Sequence, residues 1–332
     1  MAPEKLFELR RRTFDTPHFR GIEFIEVEAK SIINRVPGNS VPFDFTINPY
    51  RGCSHACVYC FARSTHTFMD MDAGRDFESK IVVKVNAPDL LRRELARRSW
   101  KGGHIAMGTA TDPYQRAEGR YRLMPRIIQA LLDYRNPFSI LTKGTLILRD
   151  LPLLKEAAEV VDLSTALSVP TLDAEVWRRS EPGTPHPRKR LDAVARLNEA
   201  GIPCGVMIAP VLPGISDDPR MLMEVVKAAV DAGATHITPI LLHLRPIVRE
   251  EYMAWLQDAY PHLVGTYEEM YRRGAYAPSE ARKALAENIT TLKQAAGGLK
   301  PRSDAYWRMV ERKRKQAELE KAPAKVEQQT LL

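Results

Sequence analysis

The sequence has few cysteines and no long apolar run. Only 4 of its 332 residues are cysteine, which is too few for the disulfide framework of a small secreted protein. No apolar run is long enough to cross a bilayer, which excludes a membrane-spanning protein for the body of the chain. The N-terminus is basic but lacks the apolar segment and cleavage site of a secretory signal, so we expect a cytoplasmic protein with no membrane partner.

Charge and hydrophobicity are those of a globular protein. Hydrophobic residues make up 44% and charged residues 27%, which excludes a disordered chain for most of the length. Lys and Arg number 49 against 41 Asp and Glu, a formal net charge of +8. Such an excess is compatible with nucleic acid binding, although solvated faces explain most basic runs.

Short β-rich runs alternate with helical patterns along the chain. Six strands are predicted at 43–48, 104–109, 139–143, 162–168, 205–211 and 236–242, with helices at 88–100, 123–135, 152–160, 188–200 and 220–232. Runs that are apolar almost throughout suit parallel strands covered on both faces. A complete barrel of eight such units needs about 250 residues, so the shorter repeat predicts an α/β fold with an open partial (βα)6 barrel.

The chain divides into four predicted regions. Residues 1–40 form a basic N-terminal lead-in to which no fold of its own is assigned, and residues 41–245 form the barrel. Residues 246–308 carry aromatic anchors and predict a helical extension packed on the barrel. The alternating charges and low apolar content of residues 309–332 predict a largely disordered tail.

Three of the four cysteines, Cys53, Cys57 and Cys60, fall within eight residues. Three thiolates on a short loop after a strand can ligate a [4Fe–4S] cluster and leave its fourth iron open to an exogenous ligand. The alternative is a closed structural zinc site completed by His55 or a distant residue, for which Cys204 supplies no second pair. Cys204 itself opens the fifth strand and is interpreted as a buried structural thiol.

The segment NPYRGCSHACVYCFAR at 48–63 resembles the CxxxCxxC signature of the radical S-adenosylmethionine (SAM) superfamily. The resemblance implies a full or partial barrel, a [4Fe–4S] cluster held by the three cysteines, and SAM chelated to the open iron. It also implies that the backbone of Tyr59, just before the third cysteine, lies near the adenine. An electron from the cluster would cleave SAM to methionine and a 5′-deoxyadenosyl radical, which takes a hydrogen atom from the substrate.

A narrower resemblance links about residues 40–215 to the spore photoproduct lyase branch and its relatives. It is carried by GTATDPYQ at 108–115, LTKG at 141–144, LSV at 167–169 and EPGT at 181–184. That branch surrounds SAM with a Ser-Asp pair, a Lys and a Ser, which here correspond to Thr111 with Asp112, to Lys143 and to Ser168. A hydrogen-donating cysteine of the branch corresponds to Thr109, and DPYQ departs from the branch, so a sister group is indicated.

These polar residues also lie at the C-terminal ends of predicted strands, as does the His243-Leu244-Arg245 segment, and barrel enzymes assemble their sites at that end. SAM needs a cation for its carboxylate and acceptors for its ammonium, and Lys143 and Asp112 carry the matching charges. Taken singly, Lys143 could be a solvated loop lysine and Asp112 a turn former. Their shared placement with the cysteine loop favours SAM binding.

The sequence therefore predicts a radical SAM enzyme that acts on an unidentified substrate, either nucleic acid or peptide. No catalytic residue is assigned beyond the cofactor ligands. We expect a reductant such as flavodoxin or ferredoxin as partner. The alternative from another class is a non-catalytic iron–sulfur or zinc protein with a nucleic-acid-binding role, and an open coordination site distinguishes the two.

Overall fold

Two β-sheets and eleven α-helices organise the computed structural model, which describes residues 10–37, 41 and 43–299. Within that part of the chain the strands are β1 (Arg10–Thr13), β2 (Glu23–Val27), β3 (Ile33–Arg35), β4 (Phe45–Ile47), β5 (Tyr50–Arg51), β6 (Lys80–Lys84), β7 (Ile105–Met107), β8 (Phe138–Thr142), β9 (Leu163–Ser168), β10 (Cys204–Val211) and β11 (Ile237–Leu241). The helices are α1 (Arg75–Ser79), α2 (Ala87–Leu95), α3 (Arg116–Tyr121), α4 (Leu123–Asp133), α5 (Leu151–Val160), α6 (Ala174–Ser180), α7 (Pro187–Glu199), α8 (Pro219–Asp231), α9 (Pro246–Ala259), α10 (Val264–Met270) and α11 (Ser279–Ala295). Short 3₁₀ helices span Phe61–Thr65, Thr67–Met69, Thr145–Asp150 and Pro261–Leu263.

The larger sheet is the wall of the barrel. Its strand order is β11-β10-β9-β8-β7-β4-β3, and every neighbouring pair from β4 to β11 is parallel. The six parallel strands coincide with the six predicted runs, which confirms the open partial (βα)6 barrel. Because they are parallel, their carboxyl ends meet at one end of the barrel, where the site is assembled.

Local signals in the sequence start and stop the barrel helices. The Asp218 carboxylate accepts a hydrogen bond from the backbone N–H of Arg220 at 2.8 Å, which caps α8 just before Pro219 in its first turn. Gly201 and Gly233 follow α7 and α8 with φ of +79° and +72°, the left-handed conformation of a helix-ending glycine.

The N-terminal segment is built into the fold rather than leading up to it. β1 pairs with β2, β2 runs parallel to β6, and β3 extends the barrel sheet by pairing antiparallel with β4. The sequence predicts no fold of their own for residues 1–40, and this is wrong for residues 10–37, which contribute strands to both sheets. These strands are only three to five residues long. The partner of β2, which is β6, lies far along the chain.

Of the helices after β11, α9 and α10 pack beside the segments that follow β10 and β11, whereas α11 packs on α8 and β11. Tyr252, Tyr267 and Tyr271 are fully buried in a cluster that also contains Leu242 and Leu244, just after β11. The Tyr267 hydroxyl donates to the carbonyl of Pro213, and the Tyr271 hydroxyl to that of Leu242. The four-region division remains a prediction, and the tail at 309–332 lies outside the described residues.

The buried interior lies between the barrel strands and their helices. Cys204, the first residue of β10, is fully buried there, which confirms the structural thiol predicted at this position. Burial raises the pKa of this thiol to about 12. None of the helices in the described ranges is both long and apolar enough to cross a bilayer.

Candidate active site

A cavity of about 190 Å³ opens at the carboxyl ends of the barrel strands. All eight residues predicted to hold the cluster or SAM line it: Cys53, Cys57, Tyr59, Cys60, Thr111, Asp112, Lys143 and Ser168. They come from the cysteine loop and from the ends of β7, β8 and β9. The parallel order of the strands brings these distant segments to one place, while the individual roles stay predictions.

Two glycines permit the close approaches that shape this cavity. Gly108, directly after β7, has φ of +91°, and a Cβ there would lie 1.8 Å from the carbonyl oxygen of Leu141 on β8. Gly52, directly before the first cysteine, has φ of +78°, and its Cβ would lie 2.8 Å from the carbonyl oxygen of Phe77. A side chain would displace the backbone of the cavity wall at Gly108 and the backbone that supports the cysteine loop at Gly52.

The cysteine loop is held by backbone hydrogen bonds. The N–H of Cys53 donates to the carbonyl of Phe77 at 2.9 Å, and the N–H of Cys60 donates to the carbonyl of Cys57 at 3.2 Å. Cys53 and Cys57 are buried, Cys60 is half-buried, and all three are free thiols. The loop therefore presents three sulfur-bearing side chains to a single cavity.

Arg63 holds the cysteine loop in place through hydrogen bonds to backbone carbonyls. Its buried guanidinium donates through Nε to the carbonyl of Cys57 at 3.1 Å, and through Nη1 to the carbonyls of Ala73 and Gly74 at 3.1 and 2.8 Å. Bonds from one rigid fork to separate segments fix the path of the chain around the cysteines. Sequence reasoning did not assign this residue.

The chemistry of the donor set suits a cluster. Burial raises the pKa of each of the three thiols, whereas the positive charge of a bound metal favours the thiolate form. Among the described residues, no three His, Cys, Asp or Glu side chains are grouped closely enough to hold a single metal ion. The thiolates of a four-iron cluster bind separate corners and need not converge on one point.

Asp112 joins the cysteine loop to the end of β8. One carboxylate oxygen accepts from the Thr142 hydroxyl at 2.6 Å and the other from the backbone N–H of Lys143 at 2.7 Å. The second oxygen also lies 3.2 Å from Nδ1 of His55, the residue weighed as a zinc ligand. Burial alone would raise the pKa of Asp112, but His55 and the hydrogen bonds lower it, so the group is ionised.

Thr111 supports the turn before the first cysteine. Its hydroxyl donates to the carbonyl of Gly52 at 2.7 Å and accepts from Nε2 of Gln115 at 2.9 Å. The same amide nitrogen of Gln115 donates to Gly52, and its oxygen accepts from the N–H of Ser54 at 3.0 Å. Gln115 thus ties the end of β7 to the cysteine loop, a role that the sequence did not reveal.

Lys143 connects the ends of three barrel strands. From its position after β8, its ammonium donates to the Ser168 hydroxyl at 2.5 Å and to the Ala209 carbonyl at 3.2 Å. It also lies 2.9 Å from Oε1 of Glu181. The predicted cation is therefore in place beside the cavity, and Glu181 is a partner that the sequence did not identify.

Glu181 is the centre of a buried charge network. Oε2 of its carboxylate accepts from Nη2 of Arg190 at 2.5 Å, and Oε1 accepts from the Tyr59 hydroxyl. Both Glu181 and Arg190 are almost fully buried. Burial would raise the pKa of Glu181, but Arg190 and Lys143 outweigh it and lower the pKa to about 2.

The chain is a partial parallel barrel with three thiols on the loop after its first strand and polar side chains at the next strand ends, which is the end where barrel enzymes assemble their sites. The family model described as the Radical SAM superfamily matches residues 47–244. The chain therefore belongs to the radical SAM superfamily.

The chain is also similar to known relatives. The chain is 50% identical over 282 residues to the uncharacterised protein Rv2578c of Mycobacterium tuberculosis (strain ATCC 25618 / H37Rv), covering 85% of this chain and 83% of that protein. It is 26% identical over 193 residues to the radical SAM Nalpha-GlyT isomerase of Pseudomonas phage M6, covering 57% of this chain and 37% of the isomerase.

The fold is similar to that of spore photoproduct lyase. The lyase complexed with dinucleoside spore photoproduct matches with a TM-score of 0.62 at 16% identity, covering 82% of this chain and 79% of the lyase. A lyase mutant with bound AdoMet and dinucleoside spore photoproduct matches with a TM-score of 0.63 at 16% identity, covering 87% and 85%. The resemblance to the lyase branch is thus confirmed for the fold.

Proposed function

We propose that this chain binds one [4Fe–4S] cluster through Cys53, Cys57 and Cys60 and cleaves SAM reductively to act on a substrate. When bound, the cluster and SAM supply an electron and a 5′-deoxyadenosyl radical. The observation that carries the proposal is the shared cavity, which three free thiols line together with the polar ends of β7, β8 and β9. A small electron carrier such as flavodoxin or ferredoxin is the proposed reductant.

The charges around the cavity suit a zwitterionic ligand. Lys143 lines the cavity, and its partner Glu181 is also paired with the buried Arg190, so the ammonium of Lys143 is not fully neutralised and can serve the carboxylate of SAM. Asp112 also lines the cavity and supplies a negative charge for the ammonium of SAM. Tyr59, Thr111 and Ser168 are the remaining proposed SAM-binding residues.

Apolar side chains form part of the cavity wall. Leu141, Met207 and Ile240 line the same cavity as the thiols. Apolar walls limit the access of water to a reactive species and keep it close to its target.

Anaerobic reconstitution with iron and sulfide, followed by measurement of 5′-deoxyadenosine released from SAM, tests the proposal. We expect one cluster per chain, because Cys204 is the only cysteine left for a second. Two clusters per chain, stoichiometric zinc in anaerobically purified protein, or a cluster without SAM cleavage would contradict it. The last result would favour a non-catalytic iron–sulfur protein.

The variant Lys143→Ala is expected to bind SAM more weakly while keeping its cluster. A carboxylate that loses a charge-assisted partner gives up about 1.5–3 kcal/mol, or about tenfold to a hundredfold in affinity. Glu181 keeps Arg190 as its partner in this variant, so the network is not left without a cation. Isothermal titration of reconstituted protein with SAM measures the affinity, and absorbance reports the cluster.

The matched control is Lys155→Ala, which removes an exposed lysine from α5. Its SAM affinity should equal that of the parent. Equal affinity in Lys143→Ala as well would show that the proposed contact with the SAM carboxylate is not made.

Reduced protein incubated with SAM and a dinucleotide spore photoproduct is expected to form 5′-deoxyadenosine without returning two thymines. Thr109 stands where the lyase resemblance implies a hydrogen-donating cysteine, and it lines the cavity. A hydroxyl O–H bond is far too strong to serve as that donor. Cys204 cannot replace it, because Cys204 opens β10 while the cavity is lined by residues later in that strand, such as Met207.

Chromatography of the reaction products measures both outcomes, and spore photoproduct lyase run in parallel shows that the assay detects repair. Efficient return of thymine by this protein would refute the argument from Thr109.

A further inference from the structure

Three aromatic rings lie in a row beside the opening of the cavity, one neighbouring pair tilted and the other stacked. The ring of His243, just after β11, lies 5.7 Å from that of Phe61 and 5.5 Å from that of Tyr276, with interplanar angles of 35° and 26°. A backbone bridge joins His243 to Tyr276. We call these three side chains the aromatic rim.

The rim is open to solvent and continuous with the cavity. Phe61 is 38% exposed and Tyr276 is 56% exposed, although both are large aromatic side chains. Phe61 and His243 also line the cavity. Tyr276 does not line it but packs against His243 beside it. Exposed apolar side chains grouped beside a cavity mark a binding surface more often than isolated ones do.

An arginine lies over each of the two outer rings of the aromatic rim. The guanidinium carbon of Arg245 lies 6.0 Å from the centre of the Phe61 ring, and that of Arg282 lies 5.8 Å from the Tyr276 ring. In both contacts the guanidinium lies over the ring, near the outer limit of a cation–π contact, and the exposed fraction of each ring leaves part of it open to solvent. Over the described ranges, no carboxylate lies within 4.0 Å of either guanidinium.

His243 contributes a ring rather than a charge. Burial and the neighbouring Arg245 lower its pKa, so its imidazole is neutral at neutral pH. The positive charge of the rim therefore comes from its two arginines, which lie at opposite ends of a row of uncharged rings.

We propose that the aromatic rim stacks an unpaired base of a single-stranded nucleic acid, while Arg245 and Arg282 contact the flanking phosphates and direct the strand to the cavity. Aromatic faces combined with arginine are the elements by which proteins bind single strands. The net charge of +8 favours the same polyanion. The proposal names a substrate class for the proposed radical SAM function and rests on it for the reaction, but the binding step can be measured alone.

A peptide fits the rim less well. Extended peptides are gripped mainly through main-chain hydrogen bonds along a sheet edge. The rim offers ring faces and guanidinium groups instead, and these match the alternation of flat bases and charged phosphates.

Fluorescence anisotropy with a labelled twelve-nucleotide single-stranded DNA of mixed sequence tests the proposal on cluster-reconstituted protein. The variant Tyr276→Ala should bind the strand between about fivefold and a hundredfold more weakly, the loss expected for one stacked base. Tyr276→Phe keeps the ring and should bind as the parent does. Arg282→Gln should reduce the slope of log affinity against log salt by about 0.7, the value for one phosphate contact on a single strand.

The matched control is Tyr134→Ala. Tyr134 is 42% exposed and follows α4, which precedes β8 and so ends at the opposite end of the barrel. Its affinity for the strand should be unchanged. A duplex of the same sequence and a poly-glutamate peptide of equal length serve as competitors, and both should compete poorly.

Several results would overturn the proposal: no binding of the strand by the parent, equal affinity in Tyr276→Ala, or equally good competition by poly-glutamate or by the duplex. SAM cleavage is measured on the same preparations. Cleavage without strand binding would overturn the rim assignment and leave the proposed function standing. Strand binding without cleavage would do the reverse.

Discussion

Anaerobically reconstituted Cys57→Ala is expected to contain no [4Fe–4S] cluster and to release no 5′-deoxyadenosine from SAM. The substitution leaves the backbone bonds of the loop, including that from Arg63 to the carbonyl of residue 57, and removes only the sulfur. Two thiolates remain where three are needed to hold the cluster with one open corner. Cys53→Ala and Cys60→Ala should behave in the same way. Iron and sulfide content, visible absorbance and product chromatography measure the loss.

Cys204→Ala is the control for this series. Its thiol is buried, as those of Cys53 and Cys57 are, but lies at the start of β10, and it does not line the cavity. The variant should keep a full cluster and its SAM cleavage. A parental cluster content in Cys57→Ala, or its loss in Cys204→Ala, would show that the ligands have been wrongly assigned.

The barrel could be predicted from the sequence because its signals are local. GVMIAPV is apolar almost throughout and is bounded by Gly201 and by the Asp218-Pro219 helix start, so strand and helix both show in a short window. β1 and β3 could not be found in that way. Their burial pattern is mostly exposed, and hydrogen bonds to β2 and β4 decide their conformation.

The site shows the same division. The cysteine spacing and the polar residues after strands predicted eight side chains that do line one cavity. Their partners were not predicted, because charge pairing depends on the fold. Glu181 lies far along the chain from Lys143, and both residue types are usually exposed. The exposure of Tyr276 beside His243 likewise depends on how the segment after α10 returns to β11.

The charge network beneath the cavity predicts a large effect on stability. Arg190→Met should lower the free energy of unfolding by about 3–5 kcal/mol, since removing one partner of a buried ion pair leaves the other inadequately compensated. Arg190 is fully buried and also donates to the carbonyls of Pro185 and Ser168, which lose their partner as well. The midpoint of thermal unfolding should fall by about 4–8 °C.

Arg178→Met is the matched control, because Arg178 is exposed on α6 and its Nε donates only to the nearby carbonyl of Ala174. Its midpoint should stay within about 2 °C of the parent. The double variant Arg190→Met/Glu181→Gln should recover part of the loss, because the buried charge is then absent. A double variant less stable than Arg190→Met would contradict the pairing.

The pH dependence of folding stability tests the same charge network independently. The pKa of Glu181 is lowered to about 2 from an ordinary value of 4.5, so its ionised form stabilises the fold fully above about pH 4.5. That contribution, on the order of 3 kcal/mol, is lost as the pH falls through about 2. In cluster-free protein that circular dichroism shows to be folded, the stability difference between the parent and Glu181→Gln should be largest near neutrality and shrink steadily below pH 4.5. A difference that stays constant or grows on acidification would mean that Glu181 is not held ionised by Arg190 and Lys143.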